Sequence, residues 1–437
     1  MQIELYFDFS CPFAYLASRD IEALAARAGA TLVWRPMLLG GVLRETGAES
    51  ALAGEAPAKR QHHMIDKHRW AEVRGAPLVV PDGHPIRTVR ALRALLSLEP
   101  ARWSPVIRAL FSAYWERGER IDDEAVLRRA LGGAGVTGDA LERAIAANGD
   151  PAIKDELRRR TSEAIARGVF GAPTAIASGG PGGGEHLLWG QDRLEHLEAI
   201  LGGWDPASGA PPASQAASGP GAPTSPPPAG SERGVIQFWY DFSSPFSYLA
   251  ATQAQAVADR AGAALEWRPM LLGAVFRDSG TANVPLLAMS ESKRRWVASD
   301  LKLWASWWGV PFRFASKFPQ KTVTALRLAL LAGDRIAELS LAMFRAMWAS
   351  GQDLEDPAVL RAVVDRLGLD GEAMLARTQD PEVKQRLIDS TGEAVRRGIF
   401  GAPTFVVARG GAEMLFWGQD RLGLVERAAA GHPAPSR

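Results

Sequence analysis

The chain has 437 residues, of which 47% are hydrophobic, and its 50 basic and 49 acidic residues give a net charge of +1. That balance argues against a nucleic-acid-binding protein, which needs a basic excess to follow phosphates. The sequence has no run of about 18 apolar residues, so we expect no membrane span. The N-terminus lacks the basic and apolar regions of a signal peptide. We therefore expect a cytoplasmic protein.

The first predicted elements form a β-α-β unit. Residues 3–7 have the apolar pattern of a short buried strand that ends at Asp8. Pro12 stands where proline is tolerated, in the first turn of a helix, and residues 31–34 predict the second strand. A long stretch, about 42–167, then has the composition and periodicity of helices.

The predicted elements return to strands after this helical region. Gly-Ala-Pro at 171–173 introduces a third strand at 174–176, and a hairpin partner follows at 187–189. A terminal helix begins near Gln191. A β-α-β unit, a helical insert and a β-β-α unit predict an α/β fold of the thioredoxin type, with a helical domain inserted into it.

Four blocks of this sequence then occur a second time in the chain. Residues 8–17, DFSCPFAYLA, return at 241–250 with 8 of 10 positions identical. Three more blocks recur in the same order: WRPMLLG (34–40 and 267–273), GVFGAPT (168–174 and 398–404, with one change) and WGQDRL (189–194 and 417–422). Four blocks in one order exclude chance similarity, so the chain is a tandem duplication with domains at 1–203 and 234–432.

A segment of unusual composition separates the two repeats. Of the 30 residues from Trp204 to Arg233, 24 are Pro, Gly, Ser or Ala, and none is Leu, Ile, Val or Phe. Such a segment cannot bury enough apolar area to offset its ordering entropy, so we predict a flexible linker at 204–233. A coil of that length spans roughly 30 Å, which lets two domains dock side by side.

One residue of each repeat stands at the turn from strand to helix, Cys11 in the first and Ser244 in the second. A helix N-terminus presents unpaired N–H groups and the positive end of the dipole, and this setting stabilises a thiolate of the protein or of a bound ligand. The structural alternatives are that Ser244 only caps the helix and that Cys11 is a small buried apolar residue. Because Cys11 is the only cysteine, an intramolecular disulfide and dithiol exchange are excluded.

A second candidate is the Ala-Pro pair before the third strand, Ala172–Pro173 and Ala402–Pro403. A proline in this place often follows a cis peptide bond, which turns the preceding backbone outward. The outward N–H and C=O groups would pair with an extended peptide ligand as an added strand does. Taken alone, the same residues are also typical of an ordinary turn.

A third candidate is the Gln-Asp pair before the last helix, Gln191–Asp192 and Gln419–Asp420. An Asp at a helix start is often a cap. Alternatively, the carboxylate, the amide and nearby N–H groups would grip a zwitterionic amino-acid head group. No set of metal-ligating residue types has convincing spacing, so no metal site is expected.

On these residues each repeat resembles the 2-hydroxychromene-2-carboxylate isomerase and kappa-class glutathione transferase family, a branch of the DsbA-like thioredoxin superfamily. The resemblance covers both repeats nearly end to end and leaves out the linker. In the second repeat it rests on the blocks at 241–249, 267–269, 309–312, 398–404 and 417–422.

The resemblance implies glutathione as the cofactor and suggests roles for residues of the second repeat. Ser244 would be the catalytic serine, which hydrogen-bonds and activates the thiol of bound glutathione. Ala402, before Pro403, would pair with the cysteinyl backbone. Gln419 and Asp420 would hold the γ-glutamyl end.

Further contacts with glutathione or substrate are implied at Asn283 and Lys293, where the family often places them. The first repeat departs from the pattern, because Cys11 replaces the serine and Asn283 has no clear counterpart there. A DsbA-type redox motif would need a second cysteine where Ala14 stands. The first repeat keeps the other matching positions, which are Ala172, Pro173, Gln191 and Asp192. It is therefore either a site with one thiol or a structural half.

The implied activity is a glutathione-dependent cis–trans isomerisation of an aromatic, enone-like acid. Two alternatives stay open: a kappa-type glutathione transferase or peroxidase, and a non-catalytic module that binds thiol peptides or a partner. The family generally works as a dimer, so we expect the two repeats to form a pseudo-dimer within one chain. The expected partner is a small aromatic molecule, and neither nucleic acid nor a membrane is expected.

Overall fold

The computed structural model of the chain describes residues 1–47, 56–180, 183–211, 221–223, 233–282 and 284–432. Asn283, one of the site residues implied by the resemblance, lies outside the described residues. The chain divides into two units. Unit 1 comprises the described residues of Met1–Ser50, Lys67–Asp205 and Met289–Val297, and unit 2 those of Ala51–Asp66, Pro206–Ala288 and Ala298–Arg437.

The strands and helices of the first repeat follow the predicted order. The strands are β1 (Gln2–Phe7), β2 (Thr31–Pro36), β3 (Thr174–Ser178) and β4 (Glu185–Trp189). The helices are α1 (Pro12–Arg27), α2 (Leu39–Thr46), α3 (Pro57–Val73), α4 (Val89–Leu96), α5 (Trp103–Phe111), α6 (Glu124–Gly133), α7 (Gly138–Ala146), α8 (Pro151–Ala166) and α9 (Leu194–Leu201). Short 3₁₀ turns lie at Pro100–Arg102 and Gln191–Arg193, and a π-helical turn lies at Ser112–Glu116.

The described strands of the first repeat form one mixed sheet in the order β2-β1-β3-β4. Strand β1 pairs in parallel with β2 and antiparallel with β3, and β3 pairs antiparallel with β4. Residues 3–7 of β1 are all buried because this strand is central and covered on both faces. The predicted thioredoxin order is confirmed, with helices α2 to α8 as the insert.

The second repeat has the same architecture. Its strands are β5 (Val235–Tyr240), β6 (Ala264–Pro269), β7 (Thr404–Arg409) and β8 (Ala412–Trp417), in the order β6-β5-β7-β8. Its helices are α10 (Pro245–Arg260), α11 (Leu272–Ser279), α12 (Pro285–Ala288), α13 (Glu291–Trp307), α14 (Val323–Leu331), α15 (Ile336–Trp348), α16 (Pro357–Arg366), α17 (Gly371–Arg377), α18 (Pro381–Arg396) and α19 (Leu422–Ala430). Turns of 3₁₀ helix lie at Gly333–Arg335 and Gln419–Arg421.

A buried tryptophan from the helical insert holds the turn after the first strand in each repeat. The indole N–H of Trp115 donates to the carbonyl of Phe9 at 2.8 Å, and that of Trp348 donates to the carbonyl of Phe242 at 2.8 Å. Both indoles are fully buried. The insert therefore fixes the backbone beside Cys11 and Ser244, each of which lies two residues later in the same turn.

The peptide bonds before Pro173 and Pro403 are cis, as the sequence predicts. Two further cis bonds, which sequence reasoning does not anticipate, precede Pro85 and Pro319.

Part of the predicted linker is described, and its first residues are packed. Trp204 is buried and its backbone N–H donates to Ala199 O at 2.9 Å. In unit 2 the hydroxyl of Ser306 donates to Gly209 O at 2.9 Å. Among the described helices, none has the length and apolar content needed to cross a membrane.

Candidate active site

Ser244 occupies the N-cap of α10, at the turn that follows β5. Its Oγ accepts the backbone N–H of Ser247 at 3.1 Å, and its hydroxyl donates to Ala402 O at 3.0 Å. The side chain therefore caps the helix and also contacts the residue before the cis-proline. Two of the positions that the resemblance implies, Ser244 and Ala402, meet across 158 residues of chain.

A buried carboxylate lies under this turn. One oxygen of Asp241 accepts from the Ser243 N–H at 2.9 Å and from the Thr322 hydroxyl at 2.5 Å, and the other accepts from the Leu272 N–H at 2.9 Å. Burial raises the pKa of Asp241, although these hydrogen bonds lower it. The carboxyl group links the site turn to α11 and α14 and so holds the N-terminus of α10 in place.

Gly401 is needed because an indole lies against its Cα. A Cβ at this position would stand 2.6 Å from Nε1 of Trp417. The recurring Gly-Ala-Pro and Trp-Gly-Gln-Asp blocks thus pack against each other through their glycine and their tryptophan. Trp417 in this way supports the Ala402–Pro403 turn. Gly171 and Trp189 make the same contact in the first repeat.

The residues Gln419–Arg421 form a single 3₁₀ turn before α19. Gly418 has a φ of 108°, and a Cβ there would lie 2.4 Å from an oxygen of Asp420, so only glycine admits this carboxylate over the turn. Gln419 is 3% exposed, and no hydrogen bond of its side-chain amide is found within the described part of the chain. An amide and a carboxylate in this turn suit the amino and carboxyl groups of an amino-acid head.

Arg421 is held by two carboxylates. Its Nε and Nη2 atoms donate to both oxygens of Asp66 at 2.9 to 3.2 Å, and its Nη1 lies 3.2 Å from Asp420. Asp66 is 1% exposed and belongs to unit 2 although it comes from the first repeat. Sequence reasoning missed Asp66, because nothing in the sequence of the first repeat indicates that one of its residues pairs with an arginine in a turn of the second.

Lys293 and the other described residues implied for the second repeat fall in different units of the chain. Lys293 belongs to unit 1, where its ammonium lies 5.6 Å from the ring centroid of Trp189. Lys59, at the matching position of the first repeat, lies 5.3 Å from the ring of Trp417 in unit 2.

An aromatic loop beside Ser244 is a further feature that sequence reasoning missed. Phe312 is stacked on Trp348, with centroids 6.1 Å apart, and Phe314 contacts Phe318 and Trp348 at 5.2 and 5.6 Å. The loop is attached to α10 by the Tyr248 hydroxyl, which donates to Pro311 O at 2.6 Å. Phe314 is 39% exposed, so the loop presents one aromatic face to solvent.

The matching turn of the first repeat carries a buried thiol. Cys11 is 7% exposed, and its Sγ–H donates to Ala172 O at 3.1 Å. Burial raises the pKa of Cys11 to about 12, although the backbone N–H groups of Phe13 and Ala14 lower it. The charge of Asp8, whose own pKa is raised by burial, also raises that of the thiol.

Gln191 of the first repeat is engaged by an arginine. The guanidinium of Arg74 donates from Nε to Gln191 Oε1 at 2.9 Å and from Nη2 to Oε1 and to the backbone O at 2.6 and 2.9 Å. Arg74 also forms an ion pair with Asp20. Asp192 pairs with Arg193 at 2.9 Å. Among the described residues, no group of three His, Cys, Asp or Glu side chains is placed to hold a metal ion.

The chain matches the family model of the DSBA-like thioredoxin domain twice, over residues 2–202 and 235–430. It is 30% identical to the 2-hydroxychromene-2-carboxylate isomerase of Sphingobium xenophagum over 192 residues, which is 44% of this chain and 96% of that protein. It is also 30% identical to the enzyme of the same name from Pseudomonas putida over 202 residues, 46% of this chain and 95% of that protein. Human glutathione S-transferase kappa 1 is 25% identical over 203 residues, 44% of this chain and 88% of that protein.

A solved structure of a 2-hydroxychromene-2-carboxylate isomerase is 29% identical and covers 46% of this chain and 95% of that chain, with a TM-score of 0.41.

Proposed function

Because the chain belongs to the DSBA-like thioredoxin family, whose domain it contains twice, we propose that it is a glutathione-dependent cis–trans isomerase of an aromatic, enone-like acid. The observation that carries this proposal is the placement of the Ser244 hydroxyl. It stands at the N-terminus of a 16-residue helix and within 3.0 Å of the carbonyl of Ala402, beside the cis-proline.

The first step is the activation of a bound thiol. Ser244 donates to Ala402 O when no ligand competes, and rotation about the Cβ–Oγ bond turns the hydroxyl hydrogen toward a sulfur at the same helix end. The helix dipole and the hydroxyl then both stabilise a thiolate. This is the position from which glutathione would react.

The remaining parts of glutathione have partners of suitable chemistry in unit 2. The backbone N–H of Ala402 donates to no backbone carbonyl among the described residues, so it is available to an extended cysteinyl backbone. The side-chain oxygen of Gln419 and the Asp420 carboxylate are acceptors that suit the γ-glutamyl ammonium group. Arg421, fixed by Asp66, keeps the Asp420 carboxylate in place.

The aromatic loop supplies a wall for the second substrate. Phe314 exposes a ring, and the rings of Phe318 and Trp348 support it from behind. A flat conjugated acid buries its ring against such a wall at little conformational cost. This favours an aromatic substrate over an aliphatic one.

The proposed reaction balances without an oxidant or a reductant. Glutathione would supply a thiolate that adds to the conjugated double bond and later leaves as the same thiolate, so that the bond can rotate in between and no atom is gained or lost. Ser244 and the N-terminus of α10 would hold that sulfur, and the Ala402–Pro403 turn would hold the backbone that carries it.

Glutathione transfer or peroxide reduction of the kappa type is the second candidate, and the similarity to human glutathione S-transferase kappa 1 favours it. A non-catalytic thiol-peptide module is the third. We also propose that the two repeats act as a pair within one chain, in place of a dimer of single domains.

One experiment separates these functions. The purified full chain is incubated with reduced glutathione and 2-hydroxychromene-2-carboxylate, and the products are separated by chromatography with mass detection. An isomer of unchanged mass, formed without loss of glutathione, supports the isomerase. A product heavier by one glutathione supports transfer. If neither forms, and calorimetry detects no glutathione binding, both enzymatic proposals are wrong.

A further inference from the structure

The γ-glutamyl turn of the first repeat is occupied by a side chain of the same unit. Arg74 follows α3, and three hydrogen bonds of 2.6 to 2.9 Å attach its guanidinium to the side-chain and backbone oxygens of Gln191. The Gln191 amide nitrogen is buried and has no hydrogen-bond partner among the described residues. Arg74 therefore uses the acceptor face of this amide, the face that a ligand ammonium or amide would need.

A second residue fixes the arginine in that place. Asp20, on α1, forms an ion pair with the Arg74 guanidinium. The Arg74 side chain is only 16% exposed. The guanidinium is mostly buried and is paired on both sides, although Asp20 itself is 41% exposed. Displacing Arg74 from Gln191 would break three hydrogen bonds to a charged donor.

The second repeat lacks both members of this device. The residue that follows α13 at the position of Arg74 is Trp308, whose ring lies on Trp304 with centroids 4.7 Å apart. The position of Asp20 on α10 is taken by Gln253, which donates to Thr252 at 3.0 Å. The arginine and the aspartate are thus present together in one repeat and absent together in the other, as expected of residues that act as one pair.

We propose that Arg74, held by Asp20, closes the glutathione site of the first repeat from within, so that each chain binds one glutathione, in the second repeat. The inference rests on the proposed function, because it assumes that the matching turn of the second repeat binds the γ-glutamyl end. It explains why the first repeat keeps its Gln191–Asp192 turn although Ser has been replaced by Cys11. In this repeat the turn serves an internal partner.

Titration calorimetry of the full chain with reduced glutathione, in a thiol-free reductant, measures the number of sites. We expect one site in the wild type and one site of roughly tenfold lower affinity in Asp420→Ala. Arg74→Ala and Arg74→Trp, which remove the guanidinium, are each expected to expose a second site. Arg44→Ala is the control, since this arginine is 79% exposed and pairs only with its neighbour Glu45 among the described residues.

The reciprocal variant transfers the device to the other repeat. Trp308→Arg with Gln253→Asp should weaken glutathione binding at the second repeat by roughly tenfold or more, the worth of a competing charged hydrogen bond. Circular dichroism and thermal unfolding of each variant verify that it is folded. This second arm keeps the inference testable if the Arg74 variants are unstable.

The outcomes distinguish the inference from the function on which it rests. Two sites in the wild type, or one site in both folded Arg74 variants, would overturn the role of Arg74 and leave the proposed function intact. Unchanged affinity in the folded reciprocal variant would do the same. No binding in the wild type would overturn the proposed function itself.

Discussion

At the start of its first helix, the first repeat carries a thiol that donates to Ala172 O at 3.1 Å, and the second repeat carries a hydroxyl that donates to Ala402 O at 3.0 Å. The backbone at the two caps is nearly identical, with φ and ψ of −96° and 116° at Cys11 and −95° and 113° at Ser244. The two repeats therefore share the backbone geometry of this turn and differ in the side chains that surround it.

Those surroundings differ at the wall as well as at the turn. Where the second repeat has Phe314 and Phe318, the first has Val80 and His84. The Nδ1 atom of His84 lies 2.7 Å from the hydroxyl of Tyr114, and burial lowers the pKa of His84 to about 4. The imidazole is neutral at physiological pH, and this copy of the wall, residues 75–88, exposes Val79 and contains no phenyl ring.

The largest expected effect comes from removing the hydroxyl. Ser244→Ala should lower turnover by about one to two decades, because a hydrogen bond to a charged sulfur contributes roughly 1.5–3 kcal/mol. Steady-state kinetics with saturating glutathione measures this, and thermal unfolding corrects for the lost cap, worth about 1 kcal/mol. Cys11→Ala is the matched control, with turnover expected to be unchanged. Equal losses in the two variants would mean that both repeats are active.

The next effect concerns affinity. Asp420→Ala should weaken glutathione binding by roughly tenfold and change turnover at saturating glutathione much less, because the carboxylate contacts the γ-glutamyl end and not the reacting atoms. Calorimetry and the separation of kcat from KM measure the two quantities. Asp192→Ala, at the same place in the first repeat, should leave the affinity unchanged. If Asp420→Ala binds glutathione as tightly as the wild type, Asp420 is only a structural residue of the turn.

The fold and the turn residues could be predicted because they depend on local pattern. Short apolar strands, prolines at helix starts and the recurring Gly-Ala-Pro and Trp-Gly-Gln-Asp blocks indicate the elements and their order. The block spacing also has a packing reason that becomes visible only in three dimensions, since the Cβ of residue 401 would clash with Trp417.

The contacts that distinguish the two repeats could not be predicted. Arg74 meets Gln191 across 117 residues, and Asp66 meets Arg421 across 355. Nothing in the sequence ties a particular arginine to a particular glutamine at such separations, because tertiary packing brings them together. The aromatic loop was missed for the same reason: residues 308–322 have no regular secondary structure, so no periodicity marks their exposed side.

A smaller effect is expected at the aromatic wall. Phe314→Ala should raise the KM for the aromatic substrate several-fold and leave glutathione affinity unchanged, since an exposed ring contributes about 1 kcal/mol when it stacks on a substrate. Initial rates over a range of 2-hydroxychromene-2-carboxylate concentrations measure this. Ile388→Ala, at a residue that is 61% exposed on α18, is the surface control. An unchanged KM would show that the substrate ring binds on another face of the site.

The smallest effect concerns the chemical reactivity of Cys11. Its folded-state pKa, about 12, lies above the value of about 8.5 for a free thiol, because burial and the nearby Asp8 outweigh the two helix N–H groups. We therefore expect iodoacetamide to label Cys11 more slowly than a free cysteine throughout the neutral range, without a plateau below pH 9. The sign of the shift adds a second observable: the raised pKa stabilises the folded state below about pH 8.5, and this contribution declines as the pH rises and the unfolded thiol ionises. Labelling in urea restores the rate of a free thiol and serves as the control. An apparent pKa below about 8.5 in the folded chain would instead identify a reactive thiolate, and the first repeat would then be a second site with chemistry of its own.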